Sequence, residues 1–365
     1  MPSLRKETIS FITRQFLQQV PVRSFQFALP SVASRAKSEH EKYEILCDLE
    51  VQHELYFELC QPRSWFEPPS SEYITAFVKK IVLLLEHLKV DIDSDMICYM
   101  LSAIGNTDSH GYFRATSTPQ FGPVTYLLDE HVRFDDEPND SITIQESRSL
   151  ISGFGTTGNR TWEAALALGE YILSQRQLEH REVDVAGKRI LEVGAGTGFV
   201  SMLCGKLGAA KVFATDGDDV VVLRLRQNIE ANILGNVVET RVYKWGNSSG
   251  EDTGHALERE SREADYKWTD PVDLILGADI TFDAEICELL VASLDTLITE
   301  NPSAQVVISA TVRSAETNGT FEKLLDKSKI AYTWIPAPSD PKLLFYNEIS
   351  SIRIYSLHRS PTYTH

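Results

Sequence analysis

Gly194, Gly196 and Gly198 punctuate the stretch Lys188–Met202, KRILEVGAGTGFVSM, where an apolar strand runs into a glycine-rich turn and out into an apolar helix. Glycines at these steps, with Ala195 between the first two, let the backbone turn tightly and approach a ligand without a side-chain clash. Such a turn holds an adenosine-containing ligand or merely joins a strand to a helix. A dinucleotide fingerprint needs a third glycine three residues after the second, and Phe199 stands there, so an adenosine ligand without phosphates is the better fit. Asp216 closes the next strand, 22 residues after Gly194, where a carboxylate can accept both hydroxyl hydrogens of a ribose. It could instead cap the following helix; with Asp218 as the cap, both roles are open. Trp162 and Trp245 stand at element ends. Each is either core or a ligand platform, and Trp245 follows a strand whose end lies beside Asp216, where an adenine ring would meet its face.

The segment DLILGADITFD carries Ala278 and Asp279 out of the end of a further strand, facing the reactive end of a ligand laid across the first two. A proline pair after the acidic residue would make a shelf for a flipped base; Ile280 and Thr281 occupy those places, which argues against a nucleic-acid base as acceptor. Asp279 with Phe282 instead suits an alkyl ammonium group. A lysine amine has a pKa of about 10.4 and must shed a proton before its nitrogen attacks a methyl group. An apolar, aromatic-lined channel promotes that loss by desolvation, while the carboxylate orients the nitrogen. The displacement needs alignment more than a strong base, and a methylated amine remains a cation that an aromatic face can hold. The competing reading makes Asp279 a cap for the helix near Asp283 and Phe282 a core residue.

These positions need a scaffold. From Lys188 onward strand and helix patterns alternate, with strands expected over 189–193, 211–215, 238–243, 272–277, 304–311, 330–335 and 349–357 and helices over 199–208, 218–234, 283–299 and 316–328, besides 162–176 before them. Such alternation implies right-handed crossovers and an α/β, mostly parallel, doubly wound sheet. Ligands then collect beyond the C-terminal strand ends. The last two strands flank PAPSDPKLLFYNE, which has three prolines, so six parallel strands with one antiparallel strand at the sheet edge are expected. Residues 246–271 form a polar insertion with the composition of a mobile loop. Up to about residue 130 the pattern is helical, notably at 43–59 and 71–90, followed by a charged linker over 133–141 and a strand-like alternation over 141–151. Two units follow: a helical front domain, 1–135, and a catalytic domain, 141–365.

Composition excludes several classes. A formal net charge of −17 is poor for holding phosphate backbones, so no direct nucleic-acid partner is expected. No apolar run reaches the roughly 18 residues a membrane span needs, and the opening MPSLRKETISFITRQFLQQV reads as an amphipathic helix of an intracellular protein. The five cysteines are scattered without a CxxC pair; they read as reduced core thiols, with no metal site.

The phrases GTTGNRTWEAALALGEYI, ILEVGAGTGFVSML, ATDGD, YKWG and LGADITFD, in this order, resemble the seven-strand S-adenosylmethionine-dependent methyltransferases, specifically the family 16 protein lysine methyltransferases, over about residues 150 to 357. The resemblance implies S-adenosylmethionine as cofactor, contacted by Trp162, Gly194, Ala195, Gly196, Gly198, Asp216, Trp245 and Ala278, and an acidic-x-x-aromatic motif in Asp279 and Phe282. Many members have tyrosine at the last place, so Phe282 lacks a hydroxyl that could bond the amine. The front domain joined to SGFGTTGNRTWEAA is similar to the elongation factor 2 lysine methyltransferases. That likeness implies a cytoplasmic enzyme adding up to three methyl groups to a lysine of translation elongation factor 2; a monomer is expected. Two rivals remain open: a nicotinamide-dependent oxidoreductase, against which the misplaced third glycine and the missing Tyr-x-x-x-Lys count, and a non-catalytic binding module.

Overall fold

The computed structural model describes residues 2–60, 68–105, 121–130, 140–147, 157–176, 178–246, 267–313, 315–338, 343–346 and 351–360. Most of the expected polar insertion and of the linker, and the start of SGFGTTGNR, lie outside the described residues. Two compact units emerge: one of Met1–Leu150 with Lys342–Phe345, the other of Ile151–Pro341 with Tyr346–His365.

In the first unit, the helix Ser71–Leu88 buries Ile74, Phe77, Val78, Ile81, Val82, Leu85 and Leu88, a stripe at three- and four-residue steps. Ser70 starts it by accepting from Tyr73 N at 3.3 Å. Phe16, Phe25 and Phe27 gather around Phe77, with ring centroids 4.8, 5.2 and 5.8 Å away. The expected helix over 43–59 is a short 3-10 turn, Glu44–Cys47, and a separate helix, Leu49–Cys60. Asp48 breaks it with extended backbone. Its carboxylate accepts from Glu50 N at 2.9 Å, a local bond that competes with continued helix. The helical expectation also fails at Phe121–Leu127, strand β1, which pairs antiparallel with Ser141–Ser147, strand β2. Aromatic and β-branched residues in VTY of β1 and ITI of β2 favour the pleat over the helix.

The second unit carries a seven-stranded sheet. Its strands are β3 (Arg189–Val193), β4 (Lys211–Asp216), β5 (Val238–Val242), β6 (Leu274–Ala278), β7 (Gln305–Val312), β8 (Ile330–Ile335) and β9 (Ser351–Arg359), in the order β5-β4-β3-β6-β7-β9-β8. The central strands β3, β4, β6 and β7 are apolar and buried nearly throughout, as a sheet covered on both faces requires. The chain order reverses between β3 and β6, which sets a crevice beyond their C-terminal ends.

The last strand departs from expectation in position. β9 is antiparallel to β7 and to β8 and lies between them, leaving β8 at the edge. Burial explains the order: β9 contributes the buried Ile354, Tyr355 and Leu357, whereas β8 exposes Trp334 by 55%. Helix starts are fixed by short carboxylates. Asp218 accepts from Val220 N and Val221 N at 2.7 and 3.2 Å for the helix Asp219–Ala231. Asp283 does the same from Glu285 N and Ile286 N at 2.8 and 3.1 Å for Ala284–Glu300. All five cysteines are free; Cys60, Cys204 and Cys287 are buried, while Cys47 is half-buried and Cys98 exposed, so those two are not core thiols. Among the described residues no helix is long and apolar enough to cross a membrane.

Candidate functional site

Beyond the C-terminal strand ends of the second unit lies a cavity of about 600 Å³. Gly194, Ala195 and Gly196 line it after β3, Asp216 at the end of β4, Trp245 after β5, Ala278 at the end of β6, and Asp279 and Phe282 after it. Trp162 closes one side from the start of the helix Glu163–Gln175. Gly198 is the predicted position that does not line the cavity. It caps the helix Phe199–Lys206 at φ +87°, and a Cβ there would lie 2.2 Å from Leu225 Cδ1. Its glycine serves helix packing.

The turn is held from behind by Asp216. One carboxylate oxygen accepts from Gly196 N at 3.1 Å and the other from Asp218 N at 3.2 Å. Each oxygen has a second lone pair to offer. Burial raises this carboxyl above its usual range, against the opposing pull of those backbone N–H groups. Asp218 caps the next helix, so Asp216 is free of that task. At Gly194, φ is +69° and a Cβ would stand 2.6 Å from Ile280 Cγ2 and 3.2 Å from the Trp245 ring. A side chain there would fill the cradle.

Trp245 packs on the core cluster and also faces the cavity; its Nε1 is buried with no hydrogen-bond partner in the protein. An orphan donor of this kind costs about 1–3 kcal/mol unless a ligand acceptor meets it. Two cations lie over the Trp162 ring, Arg160 at 5.6 Å and Arg313 at 5.3 Å from its centroid, and its Nε1 donates to Thr157 O at 2.8 Å.

Asp279 is only 7% exposed, while Phe282 is 43% exposed, and both line the cavity, as does Leu289. The cap of the helix after β6 is Asp283, which leaves Asp279 to other partners. Both of its oxygens are taken by Arg313, Nη1 to Oδ1 at 2.9 Å and Nη2 to Oδ2 at 2.5 Å, with Thr311 N at 3.4 Å from Oδ1. Burial pulls Arg313 down, but the bond and charge of Asp279 outweigh it and leave the guanidinium above its ordinary range.

Arg313 is not among the residues expected from sequence. Its signal was a cation directly after the apolar run QVVISATV, on the strand that pairs with β6. Glu192 was passed over in the same way, as a charge inside the apolar strand RILEV. It lines the cavity and is 2% exposed, and the Ser201 hydroxyl donates to it. Burial, with a smaller push from Asp216, raises its carboxyl from 4.5 to about 8. The folded protein therefore binds a proton that the unfolded chain releases above about pH 4.5. Stability from this group is full below that pH and is lost as pH rises to about 8. Glu192→Gln is expected to flatten the dependence of Tm on pH between 5 and 8. Equal slopes for wild type and variant in thermal melts would show that Glu192 is ionised in the fold.

The residues present fit an adenosine-bearing group: a cradle closed to side chains, a half-buried carboxylate with spare lone pairs, and an unmatched indole donor. A family model for lysine methyltransferases matches residues 137–328. Protein-lysine N-methyltransferase EFM3 of Chaetomium thermophilum is 33% identical over 325 residues, covering 87% of this chain and 92% of that protein. The protein of the same name in Saccharomyces cerevisiae is 28% identical over 268 residues, covering 67% of this chain and 73% of that protein. Protein-lysine N-methyltransferase EEF2KMT of Bos taurus is 26% identical over 360 residues, covering 94% of each. With fold, crevice and kinship in agreement, the chain belongs to the lysine methyltransferase family and is an S-adenosylmethionine-dependent protein-lysine methyltransferase.

Proposed function

We propose that the enzyme methylates a lysine of translation elongation factor 2 in the cytoplasm, up to the trimethyl state. Gly194, Ala195 and Gly196 would cradle the cofactor, Asp216 take its ribose, Trp162 and Trp245 flank it, and Ala278 sit beside its reactive end. Asp279 and Phe282 would form the access for the lysine. The observation that carries the substrate is the extent of likeness to EEF2KMT: it spans 94% of both chains, including the front unit that the family model at 137–328 leaves out. Two enzymes that shared only the cofactor crevice would not be expected to share the rest of the chain.

When bound, the cofactor supplies a methyl carbon on a sulfonium, so that the N–C bond forms as the C–S bond breaks and the electron pair leaves on sulfur. The protein's own work is to hold the amine in line, exclude water and let the amine lose its proton. Desolvation against Phe282, Ile286 and Leu289, which line the cavity's rim, favours the neutral amine.

The test is incubation of the purified enzyme with radiolabelled S-adenosylmethionine and purified elongation factor 2, with a cell lysate in parallel. The expected result is label in the factor and one dominant lysate band of its size, and a trimethyl-lysine peptide by mass spectrometry. Label in a different lysate protein, with none in the factor, would overturn the substrate while leaving the enzyme class intact.

A further inference from the structure

A guanidinium stands where a methyl-accepting amine is expected to meet Asp279. Arg313 follows β7, gripping both carboxylate oxygens at 2.9 and 2.5 Å, and its guanidinium carbon lies 5.3 Å from the centroid of the Trp162 ring. Asp279 is itself constrained. Its backbone is left-handed at φ +57°, its N–H donates to Ser309 O at 2.8 Å, and its side chain is 4% exposed. A left-handed residue other than glycine costs about 1 kcal/mol or more, so its surroundings must over-determine it. A planar, two-point grip on a nearly buried carboxylate also differs from a surface ion pair, which would leave the carboxylate free to rotate.

The electrostatic consequence has a definite sign. A bare carboxylate beside an alkyl ammonium favours the charged form and so holds the proton that must leave. A carboxylate bonded at both oxygens to a guanidinium carries no net charge as a pair. The guanidinium, which keeps its own proton throughout, is a like charge to the ammonium and disfavours it.

We propose that Arg313 is a positioning residue for the acceptor lysine: it fixes the Asp279 carboxylate in one orientation and cancels its charge, so that the arriving ammonium gives its proton to solvent water and presents a neutral amine. This rests on the reading that the lysine enters beside Asp279. Other charged groups stand around the same space: Arg160 and Glu163 about the start of the helix Glu163–Gln175, Glu192 in β3, Asp216 at the end of β4, Asp218 after it, and Lys244 after β5. Glu163 is the one besides Asp279 that acts on Arg313 by charge. The cation of Arg313 is the one bonded directly to Asp279 among the described residues.

The experiment follows initial rates of methyl transfer from pH 6.5 to 10 for wild type, Arg313→Met and Arg313→Lys, with the affinity of each for S-adenosylhomocysteine measured by calorimetry. The acceptor is whichever protein the wild-type enzyme labels in lysate, so failure of elongation factor 2 as substrate leaves this test standing. Arg313→Met is expected to lose about 30-fold at pH 7 and to recover most of that by pH 9.5, its rising limb displaced upward by about one unit or more. Arg313→Lys, which keeps the charge but not the two-point grip, is expected to show less than half that displacement. Product affinity should stay within about threefold in all three. A loss that is equal at every pH, a rate unchanged by Arg313→Met, or a collapse of product affinity would each overturn the proposal. Asp279→Asn with wild-type rate and profile would instead remove the acceptor placement on which it rests.

Discussion

Asp279→Ala is expected to lower methyl transfer at least about 100-fold while leaving the affinity for S-adenosylhomocysteine within about threefold of wild type. The separation follows from position. Asp279 emerges from β6 just after Ala278, whereas the glycine turn and Asp216 belong to β3 and β4. Its oxygens bond Arg313 and Thr311 N and none of the residues around the glycine turn. Removing the carboxylate takes away the group that would set the direction of the amine, and it also frees Arg313 from its two-point anchor. Misplacing a nucleophile by about 1 Å alone costs around 100-fold. Single-turnover rates at saturating acceptor, read beside calorimetry with S-adenosylhomocysteine, separate the two effects. Turnover within a few-fold of wild type would remove Asp279 from the acceptor's path. Equal losses in rate and affinity would assign it to the cofactor's side.

The parts of the site visible in the sequence are those governed by local rules. GAGTG announces a tight turn because few other residues tolerate its left-handed steps, and Gly194 and Gly196 occupy φ +69° and +53°. Asp216 and Asp279 are legible as carboxylates ending apolar runs, and in a parallel sheet the ends of such runs converge on one side. Gly198 belongs to the same motif yet faces Leu225, because which way a turn residue points depends on the helix packed behind it. Arg313 escaped for a complementary reason. Its role depends on pairing between β6 and β7, which brings Ala278 opposite Ser309 and so sets Arg313 beside Asp279, 34 positions away in the chain. The misplaced edge strand has the same origin. ISSIRIYSL and IAYTWI both read as strands, but only tertiary burial of Tyr355, whose hydroxyl reaches Asn318 and Glu322 at 3.0 and 2.9 Å, decides which lies inside.

Asp216→Ala is expected to weaken S-adenosylhomocysteine binding by about 100-fold or more, with the fold retained. Hydrogen bonds to a charged acceptor contribute about 1.5–3 kcal/mol each, and the cofactor's ribose would offer two hydroxyls to this carboxylate. The substitution also deprives Gly196 N and Asp218 N of their acceptor, so the turn that cradles the ligand loses its fixed spacing from β4. The helix Asp219–Ala231 should survive, because Asp218 caps it independently through Val220 N and Val221 N. Relief of a partly desolvated carboxylate that is raised above its usual range offsets part of the lost bonding, so Tm should change little compared with affinity. Asp216→Asn sharpens the test: its single carbonyl oxygen can keep one of the acceptor roles, and its NH₂ cannot accept, which places its affinity between wild type and alanine. Calorimetry with S-adenosylhomocysteine, beside a thermal melt of each ligand-free variant, distinguishes the outcomes. Affinity within threefold of wild type in Asp216→Ala would detach this carboxylate from the cofactor, and an equal fall in Tm and affinity would make it a structural group of the β4 turn.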